Sequence, residues 1–353
     1  MTQTMCGWQL VGHGGPEMLQ WREDLAIPSP EPDEVLIEVA ASSVNNTDIN
    51  TRIGWYSESV RGATDGVTQT STEDAAWSGS ALSLPRIQGA DICGRIVEVG
   101  ADVPPARVGE RVLVRTMQNR DGAVWTMGSE CDGGFAEYCC ARSFDALRIE
   151  SDWSDLELGV LPCAYSTAEG MLQRASVRAE RVLITGASGG VGSAAVQLAK
   201  MRGAEVTAVT SQAKADAVRA LGADHIIGRD EAPARGGFDV IVDLVAGPAF
   251  VPLLDGLADG GRYVVSGAIA GPIVELDVRK LYLRDLTFFG STQQPDRIMP
   301  DLISYVEAGK LSPGVALSFP LKELPAAQAA FASKAHVGKI AIAVKDAAGA
   351  TSG

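Results

Sequence analysis

The stretch RVLITGASGGVGSAAVQLAK, residues 181–200, constrains this chain more than any other. An apolar run ends in Gly186-Ala187-Ser188-Gly189-Gly190-Val191-Gly192 and passes straight into a helical pattern. Glycines there let the backbone turn sharply and approach a ligand, and the start of the following helix presents unpaired N–H groups to an anion. The fingerprint is A-x-G-x-x-G, on Ala187, Gly189 and Gly192, weaker by itself than G-x-G-x-x-G. Its surroundings strengthen it. EVTAVT, DHIIG, FDVIVDLV, GRYVVSG and LTFFGST read as further strands, with AKADAVRALG and PAFVPLLDGL as helices between them. That alternation predicts an α/β unit: a doubly wound parallel sheet with helices on both faces and a dinucleotide pyrophosphate at the glycine loop. The bland alternative is a glycine-rich turn that holds nothing.

The next strand bears on which dinucleotide. A site for NAD usually carries Asp or Glu about 20 residues beyond the first glycine, on the ribose 2′-hydroxyl. Here the strand ends at Thr210 and Ser211-Gln212-Ala213-Lys214 follow, without a carboxylate. A hydroxyl at Ser211 and a cation at Lys214 suit a 2′-phosphate, so NADPH is the expected cofactor. The competing reading of Lys214 is a solvated lysine at a helix start.

The first 150 residues follow another rhythm. Val35, Ile37 and Val39 alternate within 33–44, GRIVEVG (94–100) and VGERVLV (108–114) read as strands, and Phe135, Glu137 and Cys139 mark one more. Residues 57–84, rich in Ser, Thr, Gly, Ala and Asp, read as a long loop insertion, either a functional cover or disordered. Residues 298–309 read as an amphipathic helix, GKIAIAV (338–344) as a strand returning to the first domain, and DAAGATSG as a frayed tail. The expected division is 1–154 plus 296–353 against 155–295, within 353 residues.

A net charge of −14 argues against nucleic acid and against an anionic membrane as partners, since both would repel the chain. No run approaches the roughly 20 apolar residues that span a bilayer, and MTQTMCGWQL lacks the basic start and apolar core of a signal peptide. A cytoplasmic location is expected. The six cysteines show no C-x-x-C spacing and read as free thiols.

Taken in order, DEVLIEV, SVNNTDINTRIGWY, PRIQGADICGRIVEVG with GERVL, DGGFAEY, LPCAYSTAEGML, TGASGGVG, LGADHII and GKIAIAV resemble the medium-chain dehydrogenase/reductase superfamily, nearest its zinc-independent quinone oxidoreductases. The resemblance implies a GroES-like, mainly β domain built from both chain ends beside a Rossmann domain. It also implies a homodimer through the edge strand at 286–292. In the zinc branch three side chains hold the catalytic metal. This chain has Asn45 at the first position, Gly89-Ala90-Asp91 where a G-H-E motif stands, and Cys163 at the third. Only Cys131 lies near the place of the four-cysteine structural lobe, and His13, His225 and His336 show no ligand spacing. No metal is therefore expected, and Cys163 reads as an apolar packing residue or a reactive thiol.

Without a Lewis acid, an ordinary ketone is a poor hydride acceptor. No tyrosine here has a lysine four residues on. A conjugated acceptor is easier, because charge delocalises onto a remote oxygen that hydrogen-bond donors can stabilise. The expected activity is hydride transfer from NADPH to a quinone or an α,β-unsaturated carbonyl compound. The resemblance assigns the substrate side to Asn45 and Asn50 as donors to the substrate oxygen or the nicotinamide region, Asp48 as their organiser and Tyr56 as positioner or proton source, with water as the alternative source. The family often has a tyrosine where Asn50 stands, and Asn45 with Asp48 could instead cap a turn. Thr167 is implied as a cofactor contact or a helix cap. Gly267, Ala268, Ser291 and Lys339 are implied as lining the cofactor cleft, and Asp243 as either lining or structural. Two rivals remain: a zinc alcohol dehydrogenase, and an NADPH-binding redox sensor or structural protein with little turnover.

Overall fold

The computed structural model describes residues 3–66, 73–120 and 122–345. The N-terminal part runs β1 (Thr4–Leu10), β2 (Leu19–Ala26), β3 (Glu34–Val44), α1 (Asn46–Ile53), β4 (Arg86–Ile87), β5 (Cys93–Val99) and β6 (Arg111–Val114). It continues with β7 (Met117–Arg120), β8 (Ala123–Thr126), β9 (Tyr138–Arg142), β10 (Ala146–Arg148), α2 (Asp155–Leu158) and α3 (Pro162–Arg174). Then come β11 (Arg181–Ile184), α4 (Gly190–Met201), β12 (Glu205–Val209), α5 (Ala215–Ala220), β13 (His225–Ile227), β14 (Phe238–Asp243) and α6 (Phe250–Gly256). The chain closes with β15 (Leu257–Val265), α7 (Val278–Tyr282), β16 (Thr287–Gly290), α8 (Ile298–Glu307), β17 (Val315–Pro320), α9 (Leu324–Ala332) and β18 (Lys339–Ala343).

Six strands form the parallel sheet β13-β12-β11-β14-β15-β16. The order reverses between β11 and β14, which opens a crevice at the carboxyl ends of those two strands. The buried runs Val182–Ile184 and Val240–Val242 explain why these two are central, since helices cover both of their faces. Opposite them, β3 is the hub of a seven-stranded sheet in which it pairs with β5, β9 and β18, so GKIAIAV does return to the first domain. The α/β fold class, a GroES-like β domain beside a doubly wound one, is therefore observed.

Helix α8, grouped with the first domain in the expected division at 296, instead packs Ile298, Met299, Leu302, Ile303 and Val306 into the core shared with α3 and α4. The tail at 346–353 lies outside the described residues.

Candidate functional site

The glycine loop follows β11. Gly186 takes φ +57°, the left-handed region that glycine enters without a Cβ clash. A Cβ on Gly192 would collide with the backbone of Gly186 and Ala187, so this position admits only glycine without backbone shift. Ala187, Ser188 and Gly189 lead into α4, and Gly190, Val191 and Gly192 form its first turn. The N–H groups of a helix's first turn have no intrahelical partners and carry the positive end of its dipole. Beneath the loop, Asp243 accepts hydrogen bonds from Thr185 Oγ1 at 2.6 Å and from Val245 N at 2.9 Å, and also from the Tyr263 hydroxyl. These bonds tie the ends of β11, β14 and β15 together, a structural role for Asp243.

Ser211 precedes the short turn that carries Lys214. The Lys214 ammonium donates to the carbonyl oxygens of Lys334 and, at 2.8 Å, His336, so it bridges from the parallel sheet to the loop before β18. Burial, with Arg229 nearby, pulls Lys214 below its ordinary value. Burial and then the neighbouring lysines 214, 334 and 339 push His336 down to about 4. Cations scattered in sequence thus meet in space.

Gly267 and Ala268 follow β15, and a Cβ on Gly267 would press on the Leu244 carbonyl. Ser291, just past β16, is buried, with its backbone N–H on Val265 O. Thr167 lies inside α3 and returns its hydroxyl to Cys163 O at 2.8 Å; it is not a helix cap.

The substrate-side residues surround a buried polar hub. Asn45 caps α1 in a capping box, with Asp48 Oδ2 accepting from Asn45 N at 2.7 Å. Asp91 is fully buried and accepts four hydrogen bonds: Cys163 N at 2.6 Å on Oδ1, and Asn45 Nδ2 at 2.6 Å, Lys339 Nζ at 3.1 Å and Ser43 Oγ on Oδ2. Lys339, 2% exposed, also donates to Val44 O at 3.2 Å and to Asn45 Oδ1. Both Asn45 amide hydrogens are engaged, on Asp91 and Ser43 O, so the expectation that Asn45 donates to substrate gives way to a capping and hub role. Asp48 is pushed up to about 7 by burial, against the pull of the Asn45 N–H and Lys339. The Cys163 thiol is pushed far up by burial, then by Asp91, and stays protonated: a packing residue, not a nucleophile.

Asn50 and Thr47 lie one turn apart on α1, and desolvation raises the Tyr56 phenol to about 12, against a smaller pull from the Thr47 and Asn50 side chains. Tyr56 therefore stays a donor throughout the neutral range. Pattern reading missed Asp91 as a hub and Trp77, whose ring stacks on Tyr56.

Two family models match this arrangement: the alcohol dehydrogenase GroES-like domain over residues 31–151 and zinc-binding dehydrogenase over 190–308. A structure from Sinorhizobium meliloti, solved as a candidate alcohol dehydrogenase, superposes with TM-score 0.88 at 42% identity over 97% of both chains. The chain belongs to the medium-chain dehydrogenase/reductase superfamily and is quinone oxidoreductase-like. A quinone oxidoreductase of Lama guanicoe is 29% identical, covering 94% of this chain and 95% of that protein. An acryloyl-coenzyme A reductase of Sulfurisphaera tokodaii is 27% identical over 93% and 97%. The protein is an oxidoreductase of this superfamily, whose members use nicotinamide cofactors and act on small molecules. Among the described residues no helix is long and apolar enough to cross a membrane.

Proposed function

We propose that this medium-chain reductase transfers hydride from NADPH to a quinone or α,β-unsaturated carbonyl compound without a metal ion. The observation that carries the reading is the Asn45–Asp91–Lys339 hub. The residues at the zinc branch's ligand positions do not fit zinc. Asn45 offers an amide whose oxygen already accepts from an ammonium, Ala90 has no donor atom, and Cys163 is held as a thiol. A dication there would face the buried Lys339 charge and lack thiolate or imidazole ligands.

The glycine loop does fit a dinucleotide: the room left by Gly186 and Gly192 and the first turn of α4 suit a pyrophosphate. Ser211 and Lys214 would take the 2′-phosphate, with Lys334 adding positive potential beside them. Thr167, Gly267, Ala268 and Ser291 would border the nicotinamide side, where the bound cofactor supplies the hydride. Lys339, packed against Gly190, joins the glycine loop to the hub through Asp91.

On the acceptor, hydride bonds to the electrophilic carbon, the π pair moves toward the carbonyl, and negative charge collects on oxygen. The Tyr56 hydroxyl, held protonated by its burial, donates to that oxygen and passes it a proton directly or through water. A homodimer through the outer edge of β16 is part of the proposal. An exposed apolar run leads into that strand: Ile273, Val274, Leu276, Val278, Tyr282 and Leu283. So is a cytoplasmic location, which six unpaired cysteines favour.

NADPH consumption with quinones and enones, measured with and without a strong chelator, tests the reaction. Undiminished turnover is expected, and stoichiometric zinc in active protein would overturn it. Lys214→Ala should raise the NADPH Kd about 10- to 100-fold while changing NADH little, because a charge-assisted phosphate contact is lost. Equal losses for both cofactors would remove the 2′-phosphate argument.

A further inference from the structure

The insertion at 57–84 has no part in the reaction just described, yet its described ends are built, not merely exposed. Trp55 Nε1 donates to Gly62 O at 3.2 Å. Thr64 N then donates to Ile269 O at 3.1 Å, on the loop that also carries Gly267 and Ala268. The insertion therefore crosses from the β domain to the parallel-sheet domain. On its return, Ala76 N on Ser80 O and Gly79 N on Ala76 O, both 2.9 Å, close a turn. Trp77 N donates to Ser129 Oγ at 3.3 Å and Ser78 N to Glu130 Oε1 at 2.9 Å, which pin the turn to the β domain. Residues 67–72, between the two anchored ends, lie outside the described residues.

The turn sets the Trp77 ring parallel to Tyr56, with an interplanar angle of 4° and centroids 6.0 Å apart. Trp55 meets Tyr56 edge-on at 5.7 Å and 77°. Two indoles thus fix the phenol plane. The insertion is also acidic, with Glu58, Asp65, Glu73 and Asp74 against Arg61. Asp65 directly follows the residue that bridges the domains.

We propose that Trp77 is a positioning residue for Tyr56, and that this acidic aromatic roof restricts the acceptor to small, flat, uncharged conjugated carbonyls. The inference rests on Tyr56 being the donor to the acceptor oxygen. A flat ring fits against an aromatic wall. An acyl thioester of coenzyme A would bring several phosphates toward an insertion that carries four carboxylates against one arginine, and like charges across an interface repel. Similarity alone leaves both acceptor classes open, since the relatives include a quinone oxidoreductase and an acryloyl-coenzyme A reductase. The roof's charge separates them.

The test compares 1,4-naphthoquinone, 2-cyclohexenone and crotonyl-coenzyme A under saturating NADPH, on the full chain and on Trp77→Ala, Trp77→Phe and Glu58→Gln/Asp65→Asn. The two flat acceptors should exceed the thioester by about 100-fold in kcat/KM, and removing the two roof carboxylates should narrow that gap. Trp77→Ala should lower kcat for the flat acceptors about tenfold with NADPH affinity unchanged, and Trp77→Phe should restore most of it, as expected for lost orientation. Thioester turnover equal to that of the flat acceptors would overturn the restriction. Unchanged kcat in Trp77→Ala, or loss of NADPH binding that Phe does not restore, would overturn the positioning role. Failure with all three acceptors despite NADPH binding would instead defeat the reductase reading beneath it.

Discussion

Asp48 shows how one burial decision reaches function. Its carboxyl caps Asn45 N from a position 2% exposed, and it titrates near 7 where a free side chain titrates near 4. A raised carboxyl favours the folded state while protonated. That contribution is complete below about pH 4 and is lost as pH rises through about 7. Asp48→Asn keeps an acceptor for Asn45 but has no charge to desolvate. The melting temperature of this variant relative to the parent should therefore climb by on the order of 5 °C between pH 4.5 and pH 8. A gap that stays constant across that range would show that Asp48 is ionised throughout. Lys339 and Asp91 are buried as a pair, and the Lys339 ammonium donates to Val44 O, Asn45 Oδ1 and Asp91 Oδ2.

At the scale of elements, the turn between β11 and α4 was legible in advance because its signal is local. A strand period, a glycine spacing and a helix period follow one another within 20 residues, and each reports its own backbone geometry. Gly192→Ala tests the sterics directly. The new methyl would press on Gly186 and Ala187, so NADPH affinity should fall about 100-fold as the loop moves off the pyrophosphate. Affinity within twofold of the parent would mean that the loop tolerates a side chain. Helix α8 marks the limit of such reading: its amphipathic face was plain, but periodicity names no partner, and the helix it packs against proved to be α3. The insertion marks another. Composition without period left its role open between cover and disorder, and only Trp77 on Tyr56 and Thr64 on Ile269 show that its described ends are ordered across the cleft.

For the whole molecule, the exposed apolar run at 273–283, which leads into β16, carries the expectation of a homodimer. Leu283, 69% exposed, is its most accessible leucine. Leu283→Asp should convert the dimer to monomer in sedimentation velocity at micromolar concentration while leaving the circular dichroism spectrum intact, since a buried like-charge pair at a twofold interface costs several kcal/mol. A parent protein that sediments as a monomer would remove the dimer from the proposal.

By itself, the sequence determined the two-domain α/β architecture, the glycine loop and the absence of a carboxylate at the end of β12, because these are written in contiguous residues whose spacing obeys backbone geometry. The tertiary structure alone decided that Asp91 and Lys339, 248 positions apart, close on Asn45, and that Lys214 reaches across to Lys334 and His336. Contacts at such separation leave no period to read. They exist only once hydrophobic burial has stacked the sheets and made each buried polar group find a partner.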